Sequence, residues 1–511
     1  MPLLSNEMKS IRTLLFILSV LLLLGVCWFF FPADGVAVAG RTLHFPSYEA
    51  YMAPAPKEVD VDEVLNKVNR SFEMTCSDNL LDSMRFFRNY LKANPNRIYL
   101  PDDDYTFFDS LFAQLEQASE EGKTYRVMHY GDSQIEMDRI SSVLRDCLQS
   151  FFGGSGPNMI PAIQPVATIS VSQWASNLHR YMVYGDAARA SHHRYGPMLQ
   201  FSQVTGNGSI SFAQSSHSRA LPRVKEISTV SVLLGNNSEG FAAALRCDTI
   251  TAEPKVLAAN DSVSLITWKL PVPVKRGTIS FSGTADIYAV LLDGEPGIAV
   301  DNVPLRGCAG NLFDRIDEST MRQSFDLLGT RLILLQFGVN RIPGITSTGH
   351  IVAYVKELEN QIDYLKRVAP DAMLLFVGPA DMGKRYNGVM GTWKTLPELN
   401  DSLRAMSLRK GVAYWDVFHM MGGEGSMAQW VNHNPALAGP DHIHFTFAGA
   451  QEIGSNLAKS LTTYYDFYKI RQHVPSEKVI EFVNLDWRED SIRTAGRIKL
   501  PSYNPFGLKT R

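Results

Sequence analysis

The spacing of hydrophobic positions changes character along the chain, and each change marks a region. An unbroken apolar run extends from Thr13 to Phe31; at about 1.5 Å per helical residue it nearly spans a hydrocarbon core of about 30 Å. Residues Val59 to Glu121 then carry a helical stripe, with Leu80, Met84, Phe87 and Leu91 at three- and four-residue steps. Val127 to Tyr130 reads as a short buried strand, and behind it Ile140, Val143, Leu144, Cys147, Leu148 and Phe151 recur on one helix face. From about Ala167 to Ile287 the texture becomes short alternating runs, among them TISVSQW, STVSVLLG, SVSLITWKL and GTISFSG, separated by Gly, Asn, Asp and Pro. Such runs predict an antiparallel sandwich or jelly roll.

From ADIYAVLLD onward, continuous apolar strands return. RLILLQFG, AMLLFVGP and VAYWDVF alternate with amphipathic helices, one of them marked by Val355, Leu358, Ile362 and Leu365. This alternation predicts a three-layer α/β/α domain with a parallel sheet. Because Val127 to Tyr130 supplies a matching strand far upstream, the β module reads as an insertion within that domain. The expected layout is residues 1–12 in the cytoplasm, 13–31 a transmembrane signal anchor and 32–58 a linker. A helical prefix follows over 59–121, the α/β domain over 122–165 and 288–466, the inserted β-sandwich over 166–287, and a tail over 467–511.

Charge sharpens the first of these. Lys9 and Arg12 precede the apolar run and Asp34 follows it, which orients the N-terminus toward the cytoplasm and the rest outward. A cleaved signal peptide is the competing reading, with Ala37-Val38-Ala39 as its cleavage site, although the run is longer than a usual signal core. The valine before Cys27 argues against a lipoprotein cysteine. Basic residues are scattered, so there is no footprint for nucleic acid. Cys76, Cys147, Cys247 and Cys308 lack the close pairing of a zinc site and are expected as free thiols, disulfides being permitted in an exported chain. Asp102-Asp103-Asp104 is expected as a helix cap.

Candidate chemistry begins where the first predicted strand ends, at Gly131-Asp132-Ser133-Gln134. Ligands of parallel sheets collect at the carboxyl ends of strands, so Ser133 is presented where a nucleophile belongs, with its amide expected at a helix start. A base is available in GPDHIHFTFAGAQEIG, where Asp441 and His444 stand three residues apart just before a helix with an inward stripe of Ile453, Leu457 and Leu461. The carboxylate can hold one imidazole nitrogen while the other faces a serine. Gly307 in LRGCAG and Asn340 in LLQFGVN follow strands and can offer donors to an oxyanion. His442 and His444 with Asp441 form no convincing metal set, and no cofactor is expected. His419, His433 and the pair His192-His193 read as surface or packing residues. Trp174 and Trp268 read as sandwich core, with sugar stacking as the alternative.

The order Gly-Asp-Ser, Gly-x-x-Gly, Gly-x-Asn, Asp-x-x-His resembles the four blocks of the SGNH (GDSL-type) hydrolases, carried here by Ser133, Gly307, Asn340 and His444 with Asp441. More particularly the chain resembles exported bacterial peptidoglycan O-acetylesterases, in which a carbohydrate-binding-like β domain interrupts the catalytic domain between the first and second blocks. The likeness covers about Tyr125 to Tyr465, with Gln134 in place of the nominal leucine. It implies a flavodoxin-like α/β/α fold, an oxyanion hole from the amides of Ser133 and Gly307 and the side chain of Asn340, and metal-free hydrolysis of acyl esters through an acyl-serine. It further implies an O-acetylated envelope glycan as substrate, handled on the outer side of the membrane that holds the N-terminal helix. Transfer of the acyl group to another sugar, action on xylan or a capsule, and a non-catalytic glycan-binding role are the alternatives.

Overall fold

The structure, a computed structural model, describes residues 3–31, 36–38, 41–43, 59–66 and 80–484. Cys76, most of the linker and the chain beyond residue 484 lie outside the described residues. Helix Leu3–Phe30 contains a stretch of 19 residues, Arg12–Phe30, with mean hydropathy 2.6 and none of it buried, long and apolar enough to cross a membrane.

The central sheet contains five parallel strands. They are β1 (Thr124–Gly131), β2 (Gly297–Pro304), β3 (Thr330–Gln336), β4 (Met373–Val377) and β5 (Ala413–Trp415), in spatial order 2-1-3-4-5. This is the flavodoxin-like order, whose switch point lies between β1 and β3. Alternation of side chains divides each strand between two cores. Val127, Leu334 and Leu375 face one, shared with α1 (Ser141–Phe152) and a long C-terminal helix, α5 (Phe447–His473). Met128, Leu335 and Phe376 face the other, shared with α2 (Glu318–Leu328), α3 (Thr348–Val368) and α4 (Leu396–Arg409). Both sheet faces are therefore covered, which is why these strands read as unbroken apolar runs.

The segments flanking the expected domain are part of the same body. Helix Leu80–Ala93 buries Met84, Phe87 and Leu91, and Phe87 meets Phe467 of α5 at 5.3 Å between ring centres. Helix α5 itself continues past residue 466 to His473. Ile98–Tyr99 adds an antiparallel edge beside β5, a strand that the helical reading of the prefix did not contain. The aspartate run also differs: Asp102 and Asp103 have positive φ, and Asp104 accepts the Thr106 N–H in a turn, while the helix starts only at Asp109. Short acidic side chains suit a turn as well as a cap.

Between β1 and β2 the chain forms an antiparallel sheet built on one long strand, Arg276–Asp293. Along one edge that strand pairs first with Phe241–Cys247 and then with Thr229–Gly235; along the other it pairs with Gln200–Gln214 and then with Asn158–Ile160. A register shift at Ile287/Ala289 marks the change. Val232, Trp268 and Phe281 share one core, so the layers belong to a single sheet that bends over itself. ADIYAVLLD is the second half of this strand rather than a parallel one. It is buried on both faces because it lies between the module and the α/β domain, and that burial gives it the apolar texture of a parallel strand. Among the described residues Cys27, Cys147, Cys247 and Cys308 are free.

Candidate active site

Strand β1 delivers Ser133 to the switch point. Its last ladder bond runs from Asp132 N–H to Gln336 O of β3 at 3.3 Å. The chain then turns through a short 3-10 segment, Ser133–Asp138, that kinks at Glu136 and Met137, and α1 starts only at Ser141. Ser133 therefore stands on a tight turn, and the expected position at the start of an α-helix is not found. The turn is stabilised at its base: the Asp132 carboxylate accepts the Gln134 N–H at 2.9 Å.

The predicted base meets it. His444 Nε2 is 2.8 Å from Ser133 Oγ, across 311 residues of sequence. His444 Nδ1 is 2.7 Å from Asp441 Oδ2, and the other Asp441 oxygen accepts the N–H groups of Ile443 and His444 at 3.0 and 3.1 Å. Burial alone would raise the Asp441 carboxyl, but the His444 ring and these two amides outweigh it and hold its pKa below the ordinary carboxylate range. With Asp441 charged, Nδ1 carries the proton and Nε2 is left to accept from the serine hydroxyl.

Two side chains, Gln134 and the unremarked Arg139, lock these segments together. Gln134, 2 % exposed, donates to Ile443 O at 2.6 Å and accepts from Phe445 N–H at 3.4 Å, so it clasps both neighbours of His444. This bridging is what a glutamine does here that a leucine could not. Arg139 donates to Ser133 O at 2.9 Å and to Phe445 O at 2.7 Å. Nothing in local spacing announces this bridging, since Ile443 and Phe445 lie some three hundred residues away from Gln134 and Arg139.

Gly307 and Asn340 arrive from β2 and β3. Leu305 N–H donates to Gly131 O at 2.7 Å, which pins the loop after β2 beside the nucleophile turn. Gly307 has φ +74, the left-handed region that glycine favours, and a Cβ there would meet nothing within 4 Å. Among the described residues nothing accepts its N–H. Asn340 Nδ2 donates to Asp132 Oδ2 at 3.0 Å and to Cys308 O at 3.2 Å, bridging the β1 and β2 loops. Burial pushes the Asp132 carboxyl up to about 6, with the Gln134 and Asn340 hydrogen bonds acting against it.

Other histidines do not join this group. His129 is sealed inside β1 between Gln336 and Ser141, and burial pulls its pKa down to about 4. His419 pairs with Asp416 at 2.8 Å at the same three-residue spacing as the dyad above, but on the helix after β5. Among the described residues no cluster of His, Cys, Asp or Glu could hold a metal ion. Trp268 is buried in the module core, whereas Trp174 is exposed.

No family model and no curated protein matches the chain. Among solved structures it is similar to a peptidoglycan O-acetylesterase at 19% identity, over 70% of this chain and 95% of that one, with a TM-score of 0.55. Similarity to a family two carbohydrate esterase from Clostridium thermocellum, at 11% identity over 52% of this chain and 95% of that one, has a TM-score of 0.24 and is too slight to bear on the assignment. Strand order and this likeness agree: the chain has the flavodoxin-like α/β/α fold of that esterase, with Ser133 placed directly after β1.

Proposed function

We propose that the chain is a serine esterase that removes O-acetyl groups from an envelope glycan, peptidoglycan being the favoured substrate. The observation that carries this reading is the hydrogen-bonded series Ser133–His444–Asp441 at the carboxyl end of β1. His444 Nε2 takes the hydroxyl proton as Ser133 Oγ attacks the acetyl carbonyl, and the Asp441 carboxylate stabilises the imidazolium. The amides of Ser133 and Gly307 receive the oxyanion, joined by one Asn340 Nδ2–H as it exchanges Cys308 O for the substrate oxygen, each donor contributing roughly 3 to 4 kcal/mol. His444 then protonates the departing sugar oxygen, leaving an acetyl-serine. Water, deprotonated by the same imidazole, attacks this ester and releases acetate, restoring the free serine.

The substrate class is supported by two separate features. A solved structure with the same fold is a peptidoglycan O-acetylesterase, and the apolar helix Arg12–Phe30 suits an anchor that holds the enzyme at the outer side of the inner membrane. The β module between β1 and β2 is taken as the part that faces the polymer.

The test is acetate release by the full chain in detergent micelles, from O-acetylated peptidoglycan and from acetylated xylan. Ser133→Ala is expected to lower turnover by a factor on the order of 10⁴ or more. A variant that keeps a tenth or more of the activity rejects Ser133 as nucleophile, and indifference between the two polymers rejects the preference for peptidoglycan.

A further inference from the structure

The end of strand Val171–Met182 of the β module and the nucleophile turn line a common cleft of about 230 Å³. Glu136 and Met137, three and four residues after Ser133, form one wall together with Arg306, the residue before Gly307. Arg180, Met182 and Tyr184 of the module form the other. The cleft thus adjoins two of the segments that build the candidate active site.

The two arginines of this cleft are in different states. Arg306 gives Nε–H to Glu136 at 2.8 Å and Nη2–H to the second oxygen of the same carboxylate, so its charge is met within the protein. Arg180 is half-buried and its partners are neutral: Nε–H donates to Gln200 Oε1 at 2.7 Å, and Nη2 lies against Met182 Sδ. Among the described residues no carboxylate pairs with it. A guanidinium drawn partly out of water without a counter-ion is unfavourable unless a ligand supplies the negative charge, and a planar carboxylate matches its donors in two-pronged fashion.

We infer that this cleft is a specificity subsite in which Arg180 binds a carboxylate carried by the glycan next to the acetylated sugar, with Tyr184 and Met182 lining the ring of that sugar. The inference rests on the esterase reading and narrows its substrate to acidic glycans. Among the described residues, Arg180 is the one positive charge lining the cleft without an acidic partner, which suits a monoanionic carboxylate better than a doubly charged phosphate.

The probes are an O-acetylated polyuronate and the same polymer after reduction of its carboxyl groups to alcohols. Binding is measured on the full-length Ser133→Ala chain in detergent micelles, and acetate release on the wild type. The acidic polymer is expected to bind, and to be turned over in kcat/KM, roughly tenfold or more better than its reduced form. Arg180→Gln should collapse that ratio toward unity, acting on KM more than on kcat, and Arg180→Lys should keep part of it. Equal handling of the two polymers by the wild type, or a ratio that Arg180→Gln leaves intact, overturns the inference. An acidic preference that survives in Arg180→Gln while Arg306→Gln abolishes it would also overturn the assignment to Arg180. Failure of the wild type to release acetate from either polymer or from a simple acetyl ester would instead remove the esterase reading, whereas the binding ratio is read without chemistry.

Discussion

The spacing Asp-x-x-His occurs twice, in Asp416 to His419 and in Asp441 to His444, and both pairs form a hydrogen bond, at 2.8 and 2.7 Å. Only the second imidazole has its far nitrogen against a serine. The first pair is therefore a structural dyad with a readable pH signature. The hydrogen bond to Asp416 raises the His419 pKa above its ordinary value, so its contribution to stability is fully present below about 6.5 and is lost as pH rises through the higher folded value. His419→Gln is expected to flatten the fall of Tm across that window while leaving acetate release within about twofold, as thermal melts and assays at several pH values would reveal. The matching change His444→Gln should remove turnover by a factor on the order of 10⁴ or more. Ser133, Asp441 and His444 were legible because each sits beside a local punctuation mark, a strand end or a helix start. Gln134 and Arg139 were not, because what distinguishes them is a partner distant in the chain, and Arg180 was not, because what distinguishes it is the lack of an acidic partner.

At the scale of elements, the decisive contact is between α1 and α5. Gly454 of α5 passes so close to α1 that a Cβ there would lie 2.7 Å from Ile140 O and 2.9 Å from Val143 Cβ. The segment just before α5 carries His444, and the turn just before α1 carries Ser133, so this approach sets the distance between base and nucleophile. Gly454→Ala pushes the helices apart and is expected to destabilise the fold by about 1 to 3 kcal/mol. It should also lower kcat by more than tenfold, because the hydroxyl and the imidazole lose their contact. Denaturant unfolding and steady-state kinetics on the same preparation distinguish this from stability loss alone, which would leave kcat per folded molecule unchanged. The helices themselves were legible in the three- and four-residue spacing of Ile140, Leu144, Leu148 and of Ile453, Leu457, Leu461. The edge strand Ile98–Tyr99 was not, since two residues carry no period. The second half of Arg276–Asp293 was misplaced because two-sided burial erases the alternation by which an antiparallel strand is recognised.

For the whole molecule, the joint between module and α/β domain depends on a buried ionic cluster. Arg126 of β1 donates to Asp301 of β2 at 2.9 Å and also to Asp293 at the end of the module's long strand. Asn158, where the chain passes into the module, donates to Asp293 at 3.0 Å and caps Val300 N–H at 3.1 Å. The guanidinium thus ties the second crossing of the module to β1 directly and the first through Asn158. Arg126→Leu leaves two carboxylates facing each other out of water and is expected to cost about 3 to 5 kcal/mol in unfolding free energy. Adding Asp301→Leu should return part of that loss, measured as a double-mutant cycle by denaturant titration. Three charges inside apolar strands are the feature of this chain least visible in its sequence, because a charged residue at such a place reads as a break in the pattern until its partners, 167 and 175 residues on, are seen.

The 311-residue separation of Ser133 and His444 also orders events in time. At roughly 5 to 20 residues per second of synthesis, the serine leaves the ribosome about 15 to 60 seconds before the imidazole that must activate it has been made. Under the proposed mechanism an unfinished polypeptide is inert, and cleavage starts only when the last long helix docks.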